Sequence, residues 1–266
     1  MFPSFLASWT KLRRPALLWG TYGALAVISA LITTLIFVNA GNPAAAQGGG
    51  PPRAVTTLAS LAEPGGLLAG LRISVSLIGI VALCVAAAQM AGEYTQGTMR
   101  TLLIRRPQRL QLLGGTWGAL VIFMTGAVAV AAAVAGGAGL VAAQLKGIDT
   151  SAWFSGDGVE SSLKSLGEGA LAVAGYTTLG AALGSILRAP VVAVAVGIGW
   201  LIAIEGILAS VIDGISRWLP GSMLTAISSG GTPTVALGAA VLTAAAYLVV
   251  AMGVAGALFQ RRDITA

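Results

Sequence analysis

Histidine is absent from the 266 residues, and cysteine occurs once, at Cys84. A disulfide within the chain is therefore impossible. Zinc sites of the Cys/His kind, histidine-based triads and haem ligation by histidine are excluded as well. Cys84 sits in an apolar run, where a lone cysteine serves as a small hydrophobic filler. Charge is equally scarce: Asp, Glu, Lys and Arg make up 9% of the chain, against roughly 25% in a soluble domain. So few charges cannot coat a surface facing water. Disorder is excluded by a hydrophobic content of 56%, because disordered chains are poor in apolar residues. The 37 glycines follow no Gly-X-Y period, which excludes collagen. No G-x-x-x-x-G-K-[ST] occurs, and Gly48-Gly49-Gly50 and Gly136-Gly137-Ala138-Gly139 lack the lysine that would complete one. The chain thus has no phosphate cradle of that kind, no nucleophile–base pair and no metal cluster. It reads as a non-enzyme without a cofactor of its own, and as an all-α integral membrane protein.

A bilayer core about 30 Å thick takes roughly 20 apolar residues of helix. Uncharged stretches of that length predict six spans within a single domain, at about residues 17–38, 70–91, 111–139, 168–187, 191–212 and 235–259. The third stretch, Leu110 to Leu145, is too long for one straight span. It is read as a span to about Gly139 followed by a surface tail. Lys11, Arg13 and Arg14 before an apolar run, with Ala44-Ala45-Ala46 after it, superficially resemble a signal peptide. The run is longer than a signal h-region of roughly 7–15 residues, so it is read as a retained span.

The net charge of +6 follows from positive charge collected in cytoplasmic segments, and no nucleic-acid partner is expected. With the N-terminus inside, Lys11, Arg13, Arg14, Arg100, Arg105, Arg106, Arg109, Arg188, Arg261 and Arg262 are cytoplasmic. Arg53, Arg72, Lys146, Lys164 and Arg217 are then outside. The split of ten against five places both termini in the cytoplasm. Of the outer connections, residues 213–234 keep much apolar content broken by Gly and Pro. They are expected to form short helices or re-entrant pieces.

Two segments carry mechanistic signals. Phe2, Phe5, Leu6, Trp9 and Leu12 form one stripe of a 3.6-residue helix over residues 1–15, with Lys11, Arg13 and Arg14 near its end. Such a helix suits the membrane interface, either as a topology anchor or as a lever acting on the first span. The second segment lies between spans two and three and includes Glu93, Thr95, Gln96, Gly97, Thr98, Met99, Arg100, Leu102, Leu103, Arg105, Arg106 and Pro107. Thr95 or Thr98 can cap a short helix whose Met99, Leu102 and Leu103 make an apolar face. Pro107 ends it. Either this is an ordinary positive-inside loop, or it is a short helix that docks in a groove of a soluble partner.

The pattern Glu93, Gly97-Thr98, Leu102-Leu103, Pro107, Arg109 resembles the loop after the second span of ABC-2 type transporter permeases. Trp9-Thr10-Lys11-Leu12-Arg13 is similar to that family's opening, and Phe259-Gln260-Arg261-Arg262-Asp263 to its close. Ser8 and Thr116 depart from the pattern, standing where glutamate and lysine are common. The resemblance implies that the loop is a cytoplasmic coupling helix on a separate ATPase, and that the N-terminal helix is an interfacial connecting helix. It implies two ATPase subunits carrying Mg-ATP and a second permease chain, identical or different. It also implies a place in the bacterial cytoplasmic membrane as an exporter of the multidrug-efflux kind.

Glu205 is the one acid well inside an apolar stretch. A lone carboxylate there faces protein or a water-filled path, as a substrate contact or outer gate, unless it reaches the headgroups. Tyr176 and Trp200 are companions on that candidate path, with packing as their plainer role. Gly180-Ala181-Ala182-Leu183-Gly184 is a G-x-x-x-G, which lets helices approach closely but does not by itself place a dimer interface. The apolar span residues suit a hydrophobic or amphiphilic cargo such as a drug, antibiotic or lipid. Two rivals to an ATP-driven exporter are an ion- or proton-coupled carrier and a non-transporting immunity or sensor subunit. The first needs ionisable residues near the midplane and often internal repeats.

Overall fold

The computed structural model describes residues 2–41, 57–95 and 109–261. Within them the helices are α1 (Phe2–Leu12), α2 (Pro15–Asn39), α3 (Leu58–Ala62), α4 (Ala69–Thr95) and α5 (Arg109–Lys146). Then follow α6 (Gly156–Leu187), α7 (Pro190–Ile198), α8 (Glu205–Val211), α9 (Pro220–Ser228) and α10 (Leu237–Arg261). A π-helical segment, Gly199–Ile204, joins α7 to α8 without a break. Among the described residues there is no strand beyond one isolated bridge between Thr232 and Val235. Six helices are long and apolar enough to cross a membrane: α2, Gly66–Thr95, Leu110–Lys146, α6, Pro190–Val211 and α10. The chain is an all-helical, multi-pass membrane protein.

Its outer surface agrees with that solvent. Trp19, Val191, Leu242 and Val249 are each more than 70% exposed, which water would penalise and lipid tails would not. The span helices divide into an inner and an outer set. In the most apolar stretch of α6 61% of residues are buried, and in those of α4 and α5 50%. The corresponding values for Pro190–Val211 and α10 are 17% and 11%. The centre of the molecule is thus α4, α5 and α6.

Two helices exceed the expected spans. α5 runs unbroken to Lys146, where the sequence reading places a surface tail after Gly139. Residues 140–146 contain no proline, and Ala, Leu and Gln continue a helix readily; at about 1.5 Å per residue the whole helix is some 57 Å long. α6 starts at Gly156, twelve residues before the expected span. The Ser155 hydroxyl accepts from the Gly158 amide and caps its first turn. Charge limits where a helix enters lipid but not where it begins. Asp157, Glu160, Lys164 and Glu168 therefore lie on a helix rather than in a loop.

α4 and α6 pack most closely, and glycine makes this possible. A Cβ at Gly180 would collide with the backbone carbonyl of Leu83, and one at Gly184 would meet the Ala87 carbonyl oxygen at 2.5 Å. Gly79 of α4 likewise gives room to the Tyr176 ring. The G-x-x-x-G of α6 is therefore spent inside the chain, on α4. At the next corner Arg188 takes a left-handed conformation (φ 57°) and its amide donates to the Gly184 carbonyl, after which Pro190 opens α7. At the opposite end of the bundle Trp153 is fully buried, edge-on to Phe37, and its indole N–H donates to the Leu61 carbonyl at 2.9 Å.

Gly180→Ala should lower stability by about 1–3 kcal/mol, the usual cost of overpacking. Gly253→Ala, where nothing lies within 4 Å of the added methyl, should be neutral or slightly stabilising. Thermal unfolding of the two purified variants in detergent compares them directly.

Candidate functional site

The clearest buried polar structure forms around the short helix α9. Its N-cap residue, Leu219, has no side chain able to accept a hydrogen bond, and Pro220 at the first position has no N–H. The following amides would be orphaned in an apolar setting. Glu205, at the start of α8, supplies the missing acceptor from another helix. Its Oε1 accepts from the Gly221 amide at 2.9 Å and its Oε2 from the Ser222 amide at 3.0 Å. Oε1 also accepts from the Trp200 indole N–H at 2.9 Å. Glu205 is 5% exposed, so it faces protein. A negative charge at a helix N-terminus is also favoured by the peptide dipoles.

The π-helical segment explains why Trp200 reaches Glu205. Residues five apart stand about 140° apart around an α-helix of 3.6 residues per turn. A wider π turn, bonded i to i+5, brings them to the same side. Gly221 completes the geometry, because a Cβ there would lie 2.8 Å from Glu205 Oε2.

Tyr176 joins the same site from α6. Its hydroxyl donates to the Gly221 carbonyl at 3.2 Å and pairs with the Thr225 hydroxyl at 3.2 Å. The three residues singled out as a path or gate thus meet near the start of α9, Tyr176 and Glu205 bonding to it directly and Trp200 through Glu205. Between α4, α6, α8 and α9 lies a cavity of about 400 Å³ bordered by Ser76, Ile80, Tyr176, Leu201, Glu205 and Ser222, among others. Pockets of roughly 300–1,000 Å³ suit small-molecule ligands. Among the described residues no group of three or more Cys, Asp or Glu could hold a metal ion.

At the other end of the bundle, α1 lies against the start of α5. The Ser4 hydroxyl donates to the Gln111 carbonyl at 3.1 Å, and Gly115 gives room for Ser4 and the Phe5 backbone. Ser8 donates to the Thr116 hydroxyl at 3.1 Å. The two positions that depart from the permease pattern are therefore each other's partners. Lys11 Nζ donates to both oxygens of Glu93 at 2.8 and 3.0 Å, tying α1 to the end of α4. Phe5 stacks on Trp9, and Leu12 is buried. Leu6, expected on the same stripe, is 49% exposed, and Arg13 is exposed. The stripe is divided because the docked face is centred on Ser8. Thr95 ends α4, its hydroxyl donating to the Gly92 carbonyl. Gln96, Gly97, Thr98, Met99, Arg100, Leu102, Leu103, Arg105 and Arg106 lie outside the described residues, as does the side chain of Phe2.

Two features escape sequence reading. The ring of Tyr94 receives the Arg188 guanidinium 5.0 Å from its centroid and meets Phe259 edge-on. This gathers α4, the α6–α7 corner and α10 at one point. Glu168 is buried in α6, and its Oε2 makes no hydrogen bond. Only the apolar character of residues 169–187 hinted that α6 continued past this acid.

A family model matches residues 60–265, from α3 to beyond the end of α10. The chain belongs to the family described as protein of unknown function (DUF2705). No curated protein matches the chain. The family region includes the Glu205 site, the Tyr94–Arg188 contact and Glu93. It leaves out α1 and α2, and with them Lys11.

Glu205→Leu should cost about 1–3 kcal/mol, since it leaves two buried amides of α9 without an acceptor. Trp200→Phe should cost less, because both α9 amides keep their acceptor. Thermal unfolding midpoints of the purified variants rank the two.

Proposed function

We propose that this chain is the membrane-spanning permease subunit of an ATP-binding cassette exporter. It moves a hydrophobic or amphiphilic substrate outward by alternating access, driven by ATP hydrolysis in separate subunits. Its partners are two copies of an ATPase holding Mg-ATP, and a second permease chain. It resides in a bacterial cytoplasmic membrane with both termini inside. The observation that carries this reading is the grip on both flanks of residues 96–108. Lys11 holds the end of α4 through Glu93, while Ser4 and Ser8 hold the start of α5. Tyr94 adds Arg188 and Phe259 to the same joint. A push on the 96–108 segment, the coupling element in this proposal, would reach α1, α4, α5, α6 and α10 together. At the far end of the bundle the Glu205 clamp on α9 stands as the outer gate, beside a cavity on the translocation path. A ligand shifts such an equilibrium only by binding its two states differently.

A second reading, an ion- or proton-coupled carrier, gains one observation. Buried Glu168, with an oxygen lacking a partner, is the kind of intramembrane acid that such carriers use. The two readings separate on the energy source.

An ATPase subunit should co-purify with this chain. Lys11→Met and Arg105→Ala with Arg106→Ala should each cut ATP-dependent transport in proteoliposomes by about tenfold or more without loss of folded protein. Transport that ignores ATP but collapses with the proton gradient would reject the exporter reading in favour of the carrier.

A further inference from the structure

We propose that the cavity beside Glu205 binds a protonated amine carried on a small apolar body. This rests on the cavity and its charge, and it deepens the exporter reading by naming a substrate class. Among the residues around the cavity the one charged side chain is Glu205, and neither Lys nor Arg is present. An anionic ligand would meet that carboxylate with no compensating cation. A neutral ligand would leave its charge unused.

The carboxylate also has room for one more donor. An ionised carboxylate offers about four acceptor positions. Three are taken by fixed donors, the Trp200 indole and the amides of Gly221 and Ser222, at 2.9–3.0 Å. The fourth direction meets only the Ser222 hydroxyl, at 3.5 Å, too long for a firm bond. An ammonium group has three donors. One completes the carboxylate, and the hydroxyls of Ser76 and Ser216, which border the cavity and make no hydrogen bond within the described residues, lie ready as acceptors for the rest. Ile80, Leu201 and Met223 supply apolar walls for the body. The fixed donors hold the carboxylate in place before the ligand arrives, so little ordering is lost on binding.

The test uses the full chain in lipid nanodiscs without ATPase or nucleotide. The probe is dansylcadaverine, a fluorophore with a primary amine, and its control is the N-acetylated compound, which keeps the body and loses the charge. The amine should bind saturably and at least tenfold more tightly than the acetylated compound. Glu205→Gln should weaken the amine about tenfold and leave the acetylated compound unchanged. Should Glu205→Gln fail to fold, Ser76→Leu serves instead. It fills the cavity from α4, removes none of the hydrogen bonds of the α9 clamp, and should weaken both compounds. Equal binding of the two compounds, unchanged amine affinity in folded Glu205→Gln, or unchanged binding in Ser76→Leu each overturns the proposal. The assay contains no ATPase, so its failure leaves the exporter reading standing. Lack of an ATPase partner, in turn, would leave the amine site standing.

Discussion

The close approach of α4 and α6 is the contact on which the remaining architecture depends. In lipid there is no hydrophobic gain from burying one apolar helix against another, so association rests on van der Waals packing and polar contacts. Removing Cβ atoms at Gly180 and Gly184 lets the α6 backbone lie on the carbonyls of Leu83 and Ala87, which multiplies those contacts. The consequence extends outward in both directions. Gly79 gives space to the Tyr176 ring, and that ring places its hydroxyl on α9. Gly175 in turn receives the side chain of Leu224 from α9. The polar site is therefore built on a pair of helices that cannot drift apart without losing it.

Around this pair the molecule solves the same problem repeatedly: a backbone group stranded in an apolar medium must find a partner. α9 begins without a usable cap, and Glu205 provides one from a helix fifteen residues earlier in the chain. The cost of burying a carboxylate is offset by the amides and the indole that it satisfies. The π-helical segment is part of the same solution, since it turns Trp200 toward Glu205 at a spacing an ordinary helix would not bring together. The structure thus uses its one lining acid both as a cap and as the source of negative charge in a cavity.

The two ends of the bundle are built differently. One is knitted by Phe37, Leu61 and Trp153, apolar contacts reinforced by an indole hydrogen bond. The other is held by a partly buried ion pair, a hydroxyl pair and a cation over a ring. These contacts are directional, so this second end is organised by orientation as well as by apolar packing.

Much of the architecture was readable from the chain alone. All six apolar helices, the amphipathic α1 and the short helix within 213–234 follow from hydropathy, periodicity and Gly/Pro placement, because lipid demands long uncharged helices and little else. α5 and α6 run beyond the expected spans, since charge stops a span but not a helix, as Asp157 to Glu168 illustrate. The candidate site was only half legible. Glu205 stands out by its isolation, with Tyr176 and Trp200 as candidate companions, but no pattern in the sequence reveals a carboxylate capping a helix in trans. Nor did any local signal pair Ser8 with Thr116, Lys11 with Glu93 or Arg188 with Tyr94, which are separated by 82 to 108 residues. Sequence alone determined the solvent, the number of spans and the residues too polar to be idle, because transfer free energy acts on each residue where it stands. Only the tertiary structure decided which of those residues meet, because a hydrogen bond needs its partners within about 3 Å and helix packing alone sets that distance.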